Sequence, residues 1–386
     1  MNFKKNLHTS NSSDIKEKTE SVEELNEKEL LSRAEQSFQT LHDLLKSEEK
    51  KAKKLRISFY FGGPGLYLNG CLLSFLKKDK TAFKQNLQDL LSYKSIILNS
   101  PDKFYKEILY GVSGYLHCLL KLQSLFQDHP DASDFHTDLS EHVTELVELI
   151  VNDGIRSYDP DGVDLKELPH DFRLVYDFHE REYLGGAHGL FGVLYTLLRA
   201  YQLNNDYFAK EKDGKFLITV KASLELLIKY QRKNGNFPTR FVEKGHDDAV
   251  QFCHGSPGAI HCLLLASKIF KGEDIGTKCL NAAVLAGENI WEYGILKKGF
   301  GLCHGISGNG YGLLELYKET DDKNWLYRAY CFALLKKDKH YTDEIAAYDF
   351  SDRFTTGISD YPFSLMLGLS GDICYYADCL FPENAR

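Results

Sequence analysis

The sequence predicts an all-α fold, built as a closed or curved array of helix pairs, and three observations carry that prediction. A Gly-x-x-Gly signal followed by an apolar run recurs six times, several of the intervals hold a second, amphipathic segment, and strand-like alternation is scarce. The six starts are "GGPGLYLNGCLLSFL" at Gly62, "GVSGYLHCLLKL" at Gly111, "GAHGLFGVLYTLL" at Gly186, "GSPGAIHCLLLA" at Gly255, "GISGNGYGLLEL" at Gly305 and "GLSGDICYYADCL" at Gly368. Their separations of 49, 75, 69, 50 and 63 residues each leave room for an inner helix, a loop, an outer helix and a return. The Gly-started helices read as apolar all round and belong inside. Segments such as "VKASLELLIKYQRK" and "KNWLYRAYCFALLKK" are amphipathic and belong outside. Pairs that bury one face against the next pair assemble into such an array.

The elements follow in chain order. Residues 1–28 are polar and Ser/Lys/Glu-rich, too poor in apolar surface to offset ordering, and are expected to form a flexible tail ahead of a single domain over 29–386. Residues 29–55 show helical spacing of apolar positions with a charged far end and no glycine, an amphipathic helix. The repeats then take over. Glycines at a helix start permit sharp loop-to-helix turns and close backbone approach, which accounts for most of the twelve. If all six inner helices begin on one face, the residues around each glycine pair line a common mouth whose free N–H groups favour anions.

Composition narrows the function classes. The 386 residues carry a net charge of −8 with pI near 6.0, which argues against a general nucleic-acid binder needing clustered Lys and Arg. Nine Cys is an odd count at irregular spacings, and the chain opens without a signal-like apolar stretch. These features indicate reduced thiols in a cytoplasmic protein. No run reaches the roughly 18 apolar residues of a spanning helix, and Asn2 excludes N-terminal myristoylation.

The mouth collects the reactive side chains. Cys253 and His254 precede Gly255, Cys303 and His304 precede Gly305, and His188 sits inside a glycine pair. Cys and His are preferred zinc ligands. Three of them make a catalytic site with an open position, whereas a Cys2His2 set would make a closed one. Ligands some fifty residues apart, ahead of two apolar helices, do not resemble a zinc finger, and neighbouring side chains need not all reach one metal. The other seven cysteines, Cys71, Cys118, Cys262, Cys279, Cys331, Cys374 and Cys379, read as small buried hydrophobes.

The stretches "IWEYGILKKGFGLCHGISGNGYG", "FCHGSPG", "YLGGAHGLFG" and "DYPFSLMLGLSG" resemble the eukaryotic LanC-like proteins, relatives of the bacterial lanthionine synthetase cyclases, over roughly residues 55–386. The resemblance implies an α,α-toroid, a double-layered helical barrel with one Zn²⁺ near the mouth of its central cavity. It matches Cys253, Cys303 and His304 to the ligands and leaves His254 in a supporting role. It further implies a transferase that adds glutathione to dehydroalanine, dehydrobutyrine or a similar electrophile, on a protein, peptide or small molecule, to form a thioether. By the same resemblance His188 matches the His of a Gly-x-x-His-Gly motif and is the candidate general acid, since imidazole titrates near working pH. Glu107, four residues before Gly111, falls where the bacterial cyclases carry a catalytic Asp. Lys298, five residues before Cys303, matches a glutathione-contacting Lys, and Ser359 and Asp360 fall in a second contact region.

Two departures accompany the match. Gly357 stands where the family has an Arg in that second region, with Arg353 near in sequence. The family ring also has seven glycine-started helices against six here, so the first is missing or degenerate, and an open seam would expose apolar flanks. Two further classes suit parts of the pattern: a zinc prenyltransferase-like enzyme or peptide cyclase, and a non-catalytic protein that binds zinc and glutathione.

Overall fold

The computed structural model describes residues 27–49, 55–130, 132–155, 173–208, 214–241, 249–296, 298–346, 361 and 363–385. Fourteen α-helices follow one another among them: α1 (Glu27–Glu49), α2 (Gly63–Leu76), α3 (Lys80–Leu98), α4 (Val112–Asp128), α5 (Ser140–Gly154), α6 (Leu190–Leu203), α7 (Asn205–Phe208), α8 (Lys215–Lys229), α9 (Ser256–Ile269), α10 (Asp274–Tyr293), α11 (Ile306–Thr320), α12 (Lys323–Leu334), α13 (Lys339–Ala346) and α14 (Leu369–Leu380). Only two isolated β-bridges occur among the described residues.

Two layers result. The glycine-started helices α2, α4, α6, α9, α11 and α14 pack each on the next in chain order, while α3, α5, α8, α10 and α12 pack on their outer side. The charged segment before the first glycine pair becomes α1, which packs on α2. Between the layers lies a continuous apolar core in which Leu116, Leu119, Leu194, Leu197, Leu263 and Leu313 are fully buried. Each such side chain contributes about 1.5–3 kcal/mol relative to exposure.

The glycine signal has one local cause repeated six times. The second glycine of each pair, Gly65, Gly114, Gly192, Gly258, Gly308 and Gly371, lies against the carbonyl oxygen of the residue six positions earlier, and a Cβ there would overlap that backbone. The carbonyl belongs to the loop that enters the helix, so the glycine lets the loop fold flat onto the first helical turn. The third copy therefore has a different register from the one its sequence suggests. Its helix is N-capped by Gly189, and the working pair is Gly189 and Gly192 rather than Gly186 and Gly189. Gly186 serves instead a close approach to the Phe252 backbone of the next copy.

The inner helices are not apolar all round. Six residues past their N-cap glycines, α4, α6, α9 and α11 carry His117, Tyr195, His261 and Tyr311, all partly accessible in an otherwise buried layer. Tyr195 on α6 lies in the field of Glu315 on α11, two helices further round, so a charge on one inner helix acts on a polar group of a non-adjacent one. Burial, with Lys121 and Arg199 adding to it, pushes the His117 imidazole down to about 3, so it is neutral at physiological pH. A helix in a ring has lateral neighbours, an outer neighbour and a fourth face toward the axis, and only the first three demand apolar residues.

At the other end of the arc α14 leaves Leu369, Ile373 and Leu380 exposed along one flank, the last by 75%. Among the described residues no seventh glycine-started helix follows to cover that flank. All nine cysteines are free thiols; Cys374, on α14, is exposed rather than buried.

Candidate metal centre and proton-transfer pair

The common register makes the mouth readable as two rings of side chains. One residue before each N-cap glycine stand Phe61, Tyr110, His188, His254, His304 and Leu367. One residue earlier stand Tyr60, Leu109, Ala187, Cys253, Cys303 and Met366. The second set turns inward, and Leu109, Ala187, Cys253, Cys303 and Met366 pack together as one small cluster with Tyr60 and Phe61 against it. His188 thus stands immediately before its glycine pair, in the same place as His254 and His304, and not inside the pair.

Hydrogen bonds to backbone carbonyls link adjacent loops: Ser58 Oγ donates to Leu109 O, Gly186 N to Phe252 O, Cys253 N to Cys303 O at 3.0 Å, and Cys303 N to Met366 O at 2.8 Å. Gly255 reaches its place with φ +104, a conformation that favours glycine and that the other five N-cap glycines do not need.

Cys253 Sγ, Cys303 Sγ and a ring nitrogen of His304 all lie within 4.8 Å of one another, and no other such cluster of His, Cys, Asp or Glu occurs among the described residues. The two sulfurs are buried and the imidazole is partly exposed. Tetrahedral coordination with metal–sulfur bonds of about 2.3 Å places ligand atoms about 3.8 Å apart, so the set needs to close by no more than about 1 Å. Two thiols, one imidazole and an accessible side fit a borderline-soft divalent ion with one position left open.

The Cys303 S–H donates to Cys253, which holds the Cys253 thiol well below its usual range with His304 and His254 assisting. The same bond, burial and the neighbouring charge push Cys303 up, while Lys298 opposes that rise. Gln251 Oε1 lies 3.4 Å from Cys253 Sγ.

A second constellation forms on the loop before α6. His188 Nδ1 lies 2.9 Å from Glu107 Oε2, with Glu107 1% exposed and His188 partly open. A donor at Nδ1 leaves Nε2 as the nitrogen available for proton exchange. Glu107 also closes its own loop, accepting from Leu109 N at 2.9 Å and Tyr110 N at 2.6 Å. The imidazole plane is fixed by aromatic neighbours that the sequence reading did not single out. Phe178 stacks on it at 4.1 Å and 8°, and Tyr110 at 5.6 Å and 9°. Phe178 begins a tight turn closed by Phe178 N to Arg181 O, in which His179 and Glu180 both have positive φ. Two successive non-glycine residues in that region store strain next to the site. Tyr183 lies 5.3 Å from His254 and 6.2 Å from His188, connecting the two corners.

Lys298 is partly buried and close enough to Cys303 for its charge to act on the thiol. Ser359 and Asp360 lie outside the described residues, as do Gly357 and Arg353.

The model of the family described as lanthionine synthetase C-like protein matches residues 19–386. The chain belongs to that family. This LanC-like chain is 32% identical over 301 residues to the zebrafish (Danio rerio) protein named glutathione S-transferase LANCL1, covering 78% of the chain and 65% of that relative. It is 32% identical over 216 residues to LanC-like protein GCL1 of Arabidopsis thaliana, covering 55% of the chain and 44% of the relative. The LanC-like chain thus spans less than two thirds of the length of either relative. Among solved structures nisin cyclase matches with a TM-score of 0.60 at 15% identity, over 89% of this chain and 81% of that one. The helical toroid is therefore shared with nisin cyclase. No helix among the described residues is long and apolar enough to cross a membrane.

Proposed function

We propose that this protein is a zinc-dependent transferase that adds a thiol, most naturally glutathione, to dehydroalanine, dehydrobutyrine or a comparable electrophile to give a thioether. The observation that carries the reading is the three-ligand corner of Cys253, Cys303 and His304 on the same ring of loops as the His188–Glu107 pair. The zebrafish relative's name, glutathione S-transferase, supports the choice of thiol.

Zinc at this corner would supply the positive charge that keeps an incoming thiol deprotonated at neutral pH. Cys253, Cys303 and His304 hold the site and leave one side accessible for that thiol. The reaction forms a bond from sulfur to the β-carbon, moves the alkene electrons toward the carbonyl, and requires a proton at the α-carbon. His188 delivers that proton from Nε2, and Glu107 keeps the ring oriented through Nδ1 and balances its charge. The thiol proton leaves to solvent, and no oxidant or reductant is consumed. Lys298 offers a charge-assisted contact to a carboxylate of glutathione; Ser359 and Asp360 are assigned to the same thiol by their place in the sequence.

The test is metal analysis of the purified chain followed by glutathione addition to a dehydroalanine peptide, read by mass spectrometry. One zinc per chain with turnover, both lost in Cys303→Ala, is expected. Zinc without turnover would leave a glutathione-binding protein in place of an enzyme.

A further inference from the structure

We propose that Asn309 is a positioning residue for the metal centre, a single side-chain amide that sets the spacing between the loop carrying Cys253 and the loop carrying Cys303 and His304. The inference rests on the metal reading above. Asn309 lies in the first turn of α11 and is fully buried. Its Nδ2 donates to Val250 O and to Gly294 O, both at 2.8 Å. Val250 is three residues before Cys253, and Gly294 caps the C-terminus of α10 where the chain leaves for Cys303. The two protons of one amide therefore hold both ligand-bearing loops, which come from different copies of the repeat.

Comparison of the copies shows that packing does not require this residue. Four positions after the N-cap glycine the other copies carry Leu66, Tyr115, Val193, Ala259 and Asp372. Val193 and Ala259 fill the position with apolar side chains and are fully buried. Tyr115 and Asp372 bond elsewhere, to Leu90 O and to Ser307 with Lys336. The amide occurs in the copy that follows the Cys303 loop and reaches back to the Cys253 loop.

The Cys253 loop has a further anchor, Asn236, whose Nδ2 donates to Ala249 O and whose Oδ1 accepts from Ser256 N. That anchor ties the loop to its own helix start and leaves its distance from the next copy unset. The gap is closed twice, at the ligands by the Cys253 N to Cys303 O bond and at the loop bases by Asn309. Without Asn309 two buried carbonyls lose their donor and the loops are free to part at their bases. Groups that orient metal ligands from behind in this way typically change metal affinity by about 10- to 100-fold.

The experiment uses the full chain and its Asn309→Asp and Asn309→Ala variants. Zinc affinity is measured by competition with a chromophoric chelator, normalised to the folded fraction, and the ligand-field absorption of the cobalt(II) form is recorded. Affinity lower by about 10- to 100-fold with altered cobalt bands is expected, and Asn236→Ala should alter the bands less. A folded variant with wild-type affinity and spectrum would overturn the assignment. Should both variants fail to fold, hydrogen exchange of the metal-free wild type decides. Loop bases 249–251 and 294–296 opening together support the bridge, and independent opening of these bases removes it. A wild type that binds no zinc would sink the proposed function instead, with the exchange data still deciding on the bridge.

Discussion

Ala187–His188–Gly189 and Cys303–His304–Gly305 occupy the same three places before α6 and α11, yet they end in different chemistry. In both, the residue two before the N-cap glycine is buried in one shared cluster and the imidazole is partly open. With Cys in the buried place, two thiols from adjacent loops meet and a third donor completes a set that could hold a metal. With Ala there, no sulfur is offered, and the imidazole pairs with Glu107 from the preceding copy. The difference lies in one side chain per loop, on a backbone that the glycine contacts hold constant. Glu107 adds a second lesson. Its place, four before the N-cap, holds Ser58 in the first copy and Ser364 in the last, and each caps the same N–H with its hydroxyl. A carboxylate caps as well as they do and also reaches the neighbouring histidine.

Substitutions can separate the two loops. The largest effect is expected on the loop before α11, where Cys303→Ala removes a ligand and leaves the other thiol without its hydrogen-bond donor. Metal content measured by mass spectrometry should fall to near zero and turnover with it. His188→Gln on the loop before α6 should leave metal content at the wild-type level and lower kcat by about 10²- to 10⁴-fold, the usual range for a general acid. Loss of metal in that variant would mean that the two corners are not chemically separate. Glu107→Ser borrows the residue of the first and last copies. It keeps a cap on Tyr110 N and removes the partner of His188, so the melting temperature should move little while kcat falls by about 10- to 100-fold through misorientation of the ring. A large drop in melting temperature with kcat per folded molecule unchanged would show that Glu107 is a cap alone.

Much of this was legible in the sequence because each glycine pair answers to a contact within six residues. The sequence could not resolve the third copy, where Gly186, Gly189 and Gly192 offer two overlapping pairs. Only the approach of Gly192 to the Gly186 carbonyl selects between them. The polar inner faces at His117, Tyr195 and His261 were hidden for a different reason. An apolar run reads as fully buried until the helix is placed in a ring with an open axis. Asn309 gave no signal either, since its partners are backbone carbonyls 59 and 15 residues away, and any residue could supply those.

The smallest effect is expected at Lys298, and it sharpens the comparison by asking what the loop before α11 adds beyond ligands. Lys298 precedes Gly299, whose φ of +88 turns the chain toward Cys303, and its charge already acts on the Cys303 thiol. Its ammonium can therefore act on the protein's own sulfur or on a carboxylate of the incoming thiol. A partly exposed charge-assisted hydrogen bond is worth about 1.5 kcal/mol, so Lys298→Ala should raise KM for glutathione by about tenfold and leave kcat close to wild type. The two roles separate with cysteamine, a thiol without a carboxylate. If Lys298 binds glutathione, cysteamine should react with both proteins at nearly the same kcat/KM. If both thiols lose the same factor, Lys298 acts through the charge of the metal corner and belongs with Cys303. The binding of glutathione's carboxylates would then have to come from elsewhere at the mouth.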